Sequence, residues 1–262
     1  MRKIIFGLAA SLLLVGAGCI DFGGGKAAVT LGVFRSADKG ETWVQTNALP
    51  TAAGVKRLSG VSVYRIFTDP SDTSALYLAA RGQGLYYSYD RGDSWRSVPA
   101  LQGKFIYSLS VDPANKCVIY ATDGNNIFKT SDCSRSWSTV YLSQSGSRIA
   151  AIALDYFNKG NIFAGLEDGT ILQSNNAGSS WRATTSTGGT LRELVADPQV
   201  PGRFYIAKAS TGLLISNDNG QTWEDAAGEL RNFSSGLTFY RLILDSTKKN
   251  SLYWLSKYGI FH

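Results

Sequence analysis

Ser88-Tyr89-Asp90-Arg91-Gly92-Asp93-Ser94-Trp95 is one of five copies of a single eight-residue turn, and the reading of that turn decides the fold. The other copies are Ser36 to Trp43 (SADKGETW), Thr130 to Trp137 (TSDCSRSW), Ser174 to Trp181 (SNNAGSSW) and Ser216 to Trp223 (SNDNGQTW). The pattern Ser/Thr-x-Asp-x-Gly-x-Ser/Thr-Trp follows a short apolar-aromatic run each time, such as Gly32-Val33-Phe34 or Leu85-Tyr86-Tyr87. The carboxylates of Asp38, Asp90, Asp132 and Asp218 can accept bonds from backbone N–H groups further along the turn. Asn176 keeps an acceptor in the fourth copy. The Gly two positions later supplies a positive φ cheaply; Ser134 stands there in the third copy, at some cost in backbone comfort. The flanking hydroxyls close further local bonds. Trp43, Trp95, Trp137, Trp181 and Trp223 then start the next strand and carry a large apolar surface between neighbouring sheets. They lie 52, 42, 44 and 42 residues apart. That period belongs to a repeat of blade-sized units.

Outward from the turns, the segments are five to seven residues long, β-branched and aromatic, and bounded by Gly, Asn, Asp and Pro. No stretch after residue 30 has a convincing helical period, so the chain reads as all-β. Before each turn lies a pair of strands joined by a polar corner, for example Tyr64 to Thr68, Asp69-Pro70, then Ala75 to Ala79. Asp-Pro suits such a corner because Pro pre-sets φ and Asp bonds locally. Each unit therefore holds four antiparallel strands, the sheet of a β-propeller blade. Complete blades are expected near 61–98, 105–140, 149–183 and 191–225, with half blades at 31–45 and 239–262. The half blades allow two architectures. The N-terminal pair can complete the C-terminal one in a five-bladed ring, but Gly32-Val33-Phe34 and Gly259-Ile260-Phe261 are then equivalent strands competing for one place. That conflict favours a truncated array from a propeller of six or more blades.

The turns resemble Asp-box repeats, also called BNR repeats, of sialidases, sortilin-type receptors, xyloglucanases and the photosystem II stability and assembly factors. The resemblance spans roughly residues 31–262 and implies a β-propeller with the boxes on its periphery, away from the central site. Because the box occurs in enzymes and non-enzymes alike, it implies no single activity.

Residues 1–18 read as a targeting segment: Arg2 and Lys3 form a basic start, Ile4 to Val15 an apolar stretch, and Gly16-Ala17-Gly18-Cys19 a small-residue cleavage site. The apolar stretch is short for a spanning helix, which needs about 20 residues. A Cys after small residues resembles a bacterial lipobox, with Gly16 in place of the usual Leu. Lipidation of Cys19 is the favoured reading, over an ordinary signal peptide or an uncleaved anchor, and residues 19–30 follow as lipidated Cys and flexible tether. The expected protein is extracytoplasmic and lipid-anchored to a bacterial membrane. Removal of Arg2 and Lys3 takes the net charge from +6 to +4, with no basic run, which argues against a nucleic-acid partner.

Few residues suggest chemistry. If the hairpin between them turns near Gly124, Cys117 and Cys133 come within reach of each other, and a disulfide is reasonable outside the cytoplasm; two separate thiols are the alternative. His262 is the one histidine, and no ligand cluster at metal spacing appears, so neither metal nor cofactor is expected. Glycosidases need paired carboxylates, and acidic residues in first strands are few, with Glu193 the main exception. Arg65, Arg148, Arg192 and Arg241 occupy similar first-strand positions. They can line a central channel and bind an anion or acidic peptide, although solvated strand ends are the plainer reading. The expectation is a non-enzymatic binding or assembly scaffold with a protein or glycan ligand. A carbohydrate-active hydrolase of sialidase or xyloglucanase type is the alternative, and an assembly protein like the photosystem factors a third reading.

Overall fold

The computed structural model describes residues 32–262; Cys19 and the tether fall outside the described residues. The chain is an all-β propeller of five blades. A first hairpin pairs β1 (Phe34–Arg35) with β2 (Val44–Gln45), and a second pairs β3 (Ala48–Thr51) with β4 (Gly54–Arg57). Blade I is β5 (Val63–Thr68), β6 (Leu76–Ala80), β7 (Gly84–Ser88) and β8 (Arg96–Ser97). Blade II is β9 (Ser108–Asp112), β10 (Asn115–Thr122), β11 (Asn126–Thr130) and β12 (Ser138–Leu142). Blade III is β13 (Ile149–Leu154), β14 (Ile162–Leu166), β15 (Thr170–Ser174) and β16 (Arg182–Ser186). Blade IV is β17 (Leu191–Ala196), β18 (Phe204–Lys208), β19 (Gly212–Ser216) and β20 (Glu224–Asp225). Blade V has three strands, β21 (Phe239–Leu244), β22 (Leu252–Ser256) and β23 (Ile260–Phe261), and within every blade the strands follow chain order.

Burial along a blade explains its composition. Second strands are packed on both faces by the neighbouring blades. β14 and β18 are buried at every position, which is why Ile162-Phe163-Ala164-Gly165-Leu166 is an unbroken apolar run rather than an alternating one. Fourth strands lie at the rim, and β16 is polar and exposed except at Thr185. The seams between blades form separate apolar clusters, with Phe163 of blade III against Phe204 of blade IV at 4.5 Å between ring centres.

The five turns share one bonding pattern. The first hydroxyl of each accepts the N–H four residues on, from Ser36 to Gly40 (2.7 Å) through Ser216 to Gly220 (2.8 Å). The same hydroxyl donates to the Asp or Asn oxygen two residues on, as from Ser88 to Asp90 at 2.7 Å. That oxygen accepts the N–H four residues beyond itself at 2.9 Å in all five. In the four Asp copies the closing Ser or Thr hydroxyl also donates to the second carboxylate oxygen, as from Ser94 to Asp90 at 2.5 Å. In the copy with Asn176 this bond runs the other way, its Nδ2 donating to Ser180 Oγ at 2.8 Å. Two successive residues, not one, are left-handed. Lys39, Arg91, Cys133, Ala177 and Asn219 have φ between 55° and 61°, and the next residue, Ser134 included at 68°, is left-handed too. The turn thus tolerates a side chain at its first left-handed position because the surrounding bonds over-determine the backbone.

The tryptophans act in the seams. Trp137, Trp181 and Trp223 each pack on the cluster between their own blade and the preceding one, and Trp95 is fully buried against the first hairpin. Trp43 joins none of the apolar clusters among the described residues and is 50% exposed. The competition foreseen between the two equivalent strands resolves with both kept apart. β23 pairs with β22, while β1 pairs with β2 and its hairpin packs on blade I through Val33. No described strand closes blade V with the first hairpin.

Candidate functional site

First strands run inward at one end of the propeller and leave it at the other. The Asp corners and the boxes share the exit end, as in the bond from Asn219 N–H to the Gly202 carbonyl. The entry end carries the turns between second and third strands, where Arg148 lies against Gly124 and bonds Glu167. A channel between the blades has room of about 250 Å3 and is walled by β5, β9, β13 and β17 together with Arg241.

At the entry end the first strands of blades I, III, IV and V depart from regular pairing at one place. The register slips between Val63 and Arg65, Ile149 and Ala151, Leu191 and Glu193, and Phe239 and Arg241. A slip of this kind re-aims side chains that would otherwise alternate. In blades I, IV and V it brings consecutive residues, Tyr64-Arg65, Arg192-Glu193 and Tyr240-Arg241, to one pocket with room of about 260 Å3.

Two carboxylates organise the arginines there. Glu193, with its side chain 6% exposed, takes Arg65 Nη2 at 2.5 Å and Arg241 Nη1 at 3.1 Å on one oxygen, and accepts the Leu242 N–H at 2.9 Å on the other. Glu167, in the turn after β14, takes Arg148 and Arg192, the latter at 2.8 Å, again on a single oxygen. Arg148 also donates to the Tyr107 hydroxyl at 3.0 Å and lies over its ring at 4.5 Å. The bond to Glu167 holds the Arg148 guanidinium above its usual pKa, whereas burial, with the nearby Arg65 charge adding to it, draws Arg241 below its own. Beside these groups stands an aromatic cluster: Phe105 lies 4.4 Å from Tyr107 and 4.8 Å from Tyr64, with Arg81 over the Tyr64 ring.

The four arginines expected in first strands therefore converge as two Arg–Glu–Arg groups. Sequence reading missed Glu167 and the trio Tyr64, Phe105 and Tyr107. Glu167 sits in a turn outside any repeated motif, and Phe105 lies in the loop before β9. Elsewhere, Cys117 and Cys133 are joined as a disulfide between β10 and the third box. His262 stands at the far end, its Nε2 2.6 Å from Ser251 Oγ. Among the described residues no group of three His, Cys, Asp or Glu side chains is placed to hold a metal ion, and no helix is long and apolar enough to cross a membrane.

Four of the five bonded boxes join the third and fourth strands of four-stranded blades and the fifth joins β1 to β2, the arrangement of an Asp-box β-propeller, and the chain has that fold. Comparison with known proteins agrees and adds a chemistry. The Sortilin-Vps10 family (sortilin, neurotensin receptor 3) matches residues 32–161. A xyloglucanase of Paenibacillus sp. is 26% identical over 240 residues, spanning 73% of this chain and 23% of the relative. The solved GH74 xyloglucanase of Xanthomonas campestris superposes with a TM-score of 0.58 at 22% identity, over 77% of this chain and 36% of that one. An ancestral GH74 enzyme gives 0.59 at 21% identity, over 75% of this chain and 27% of that one. At such identities the structural likeness establishes the fold. The chain spans about a quarter of the length of the curated relatives it matches first. The xyloglucanase relatives overturn two expectations from the sequence, that the propeller is a non-catalytic scaffold and that it is no enzyme. Those expectations rested on scarce acidic residues in first strands. Glu167 escapes that count because a turn presents it.

Proposed function

We propose that this chain forms a glycan-binding propeller of a xyloglucanase-type glycoside hydrolase, acting at the entry end of its channel. The observation that carries the reading is the aromatic trio Tyr64, Phe105 and Tyr107 beside Glu167. Sugar rings present apolar C–H faces that stack on aromatic rings, while their hydroxyls need charged and polar partners nearby. Hydrolysis of a glycosidic bond employs a pair of carboxylates. Of the two at the mouth, Glu193 is enclosed by arginines and a backbone N–H, while the Glu167 side chain is 26% exposed. In this reading Glu167 supplies one carboxylate of the pair. Its contact with two guanidinium groups suits it to the ionised role of base or nucleophile.

The protein acts outside the cytoplasm, held to a bacterial membrane by a lipid on Cys19. Its ligand is the glycan, with no nucleic acid involved. Fatty-acid labelling lost in Cys19→Ala is the expected signature of that anchor.

The test of the catalytic reading is release of reducing ends from xyloglucan oligosaccharides. Glu167→Gln should lower kcat by about 10²-fold or more, and Tyr107→Ala should raise KM. Absence of hydrolysis by the intact protein, or full activity in Glu167→Gln, would sink it.

A further inference from the structure

We infer that the pocket built by the slipped strands of blades I, IV and V is a subsite for a carboxylated sugar, a uronic acid residue of the glycan. The inference rests on the hydrolase reading above and narrows its substrate.

Charge is the first argument. Arg65, Arg192 and Arg241 line this pocket with one carboxylate, Glu193, among them. Each guanidinium carries five N–H donors. Arg65 and Arg241 both spend a donor on the same Glu193 oxygen, and Arg192 spends one on Glu167. Arg65 Nε is buried without any partner. With Arg148, four guanidinium groups share two carboxylates, Glu193 and Glu167, which leaves an excess of positive charge and unused donors, the complement of a further carboxylate.

Construction is the second argument. Strand slips recur at one level in four blades, and in three of them they bring pairs of charged or aromatic residues to the pocket. Glu193 fixes two of the arginines and is itself anchored to the Leu242 N–H, so the guanidinium groups are positioned before any ligand arrives.

Size and walls are the third. Room of about 260 Å3 falls just below the range of sites for drug-sized ligands, about 300–1,000 Å3, and suits a single sugar ring. Tyr64 and Tyr240, 38% and 63% exposed, offer aromatic faces at its edge. A phosphate or sulfate would use the arginines but not these rings. An acidic peptide would use the charge without needing a ring-sized recess.

The experiment is calorimetric titration of the full chain with tetragalacturonate, with a neutral xyloglucan heptasaccharide and with short poly-glutamate, at low and high salt. The inference predicts that tetragalacturonate binds at least about tenfold more tightly than the neutral sugar at low salt. The preference shrinks as the Debye length falls from about 10 Å to about 3 Å. In Arg192→Ala, whose side chain is 46% exposed and whose loss leaves Glu193 paired, the ratio of the two affinities collapses toward one. Arg241→Lys should reduce the ratio less, because a cation remains. Equal affinity for acidic and neutral sugars would overturn the inference and leave the hydrolase reading standing. Tighter binding of poly-glutamate than of either sugar would replace the sugar by an acidic peptide. If neither sugar binds, the inference falls; if hydrolysis is also absent, so does the reading beneath it.

Discussion

The two ends of the propeller are made from the same blades by opposite means. At the exit end, five turns repeat one set of bonds with nearly constant lengths, and even Asn176 keeps the geometry by reversing a single donor. At the entry end, equivalent positions differ from blade to blade: Tyr64-Arg65, Arg192-Glu193 and Tyr240-Arg241 stand where blade III has the small Ala150-Ala151. Repetition serves folding, because each turn must close its own hairpin and four of the five send a Trp into an apolar cluster. Individuality suits the proposed binding role, because a ligand at the mouth would meet several blades at once and need a different group from each. The contrast explains why the fold is robustly encoded while the site hangs on a few residues.

The contrast can be broken most severely at a tryptophan. Trp95 is fully buried and its Nε1 donates to the Thr46 carbonyl at 2.9 Å. Trp95→Ala should cost about 3–5 kcal/mol, whereas Trp43→Ala, at a half-exposed site, should cost under about 1 kcal/mol. Denaturant unfolding of the two variants measures the difference. Equal losses would mean that the boxes stabilise by their turns alone and not through the seams.

Next in size is the staple in the third box. The Cys117–Cys133 disulfide spans 16 residues and holds the one box with a non-Gly residue at its second left-handed position. Replacing both cysteines by Ala should cost about 3 kcal/mol, from the chain-entropy model for a loop of that length. Combining that change with Ser134→Gly should recover part of the loss, since Gly occupies a positive φ without a side-chain penalty. Thermal melts of the three proteins check the order.

A smaller effect is expected at Ser88, 2% exposed, whose hydroxyl accepts the buried Gly92 N–H at 2.8 Å. Ser88→Ala should cost about 1–3 kcal/mol, the penalty of an orphaned buried donor.

The smallest effect distinguishes the boxes from one another by pH. Bonds from Thr42, Ser136 and Thr222, hydroxyl first and backbone N–H second, lower the carboxyl pKa values of Asp38, Asp132 and Asp218 from 3.8 to about 2. A pKa depressed on folding contributes stability that is present above 3.8 and lost as pH falls through about 2. The melting temperature should therefore decline between those values. Asp218→Asn, which imitates Asn176, should flatten that decline, and Asn176→Asp should steepen it. A decline unchanged by both substitutions would place the acid sensitivity elsewhere.

Most of the fold was legible in the residues because its determinants are local. The Asp, Gly and Trp of each box act within eight positions, and the period between tryptophans sets the blade. Two local features were not. A left-handed residue precedes each Gly, and its identity varies from Lys39 to Ala177, so no residue type marks it. The strand slips that build the mouth leave no residue signature either. The site was legible only in part. Arg65, Arg148, Arg192 and Arg241 stood out by their equivalent places, and Glu193 as an acidic exception. Their pairing joins residues as far apart as Arg65 and Glu193, 128 positions, which only ring packing brings together. Tyr64 and Phe105 likewise meet across two blades, and nothing in either segment announces the other.

The most direct test of the central claim is a crystal structure of the protein with a xyloglucan oligosaccharide bound. The account predicts sugar rings at the entry end, over Tyr64, Phe105 and Tyr107 and within reach of Glu167. Sugar bound on the box face instead, with the entry end vacant at saturating oligosaccharide, would contradict it.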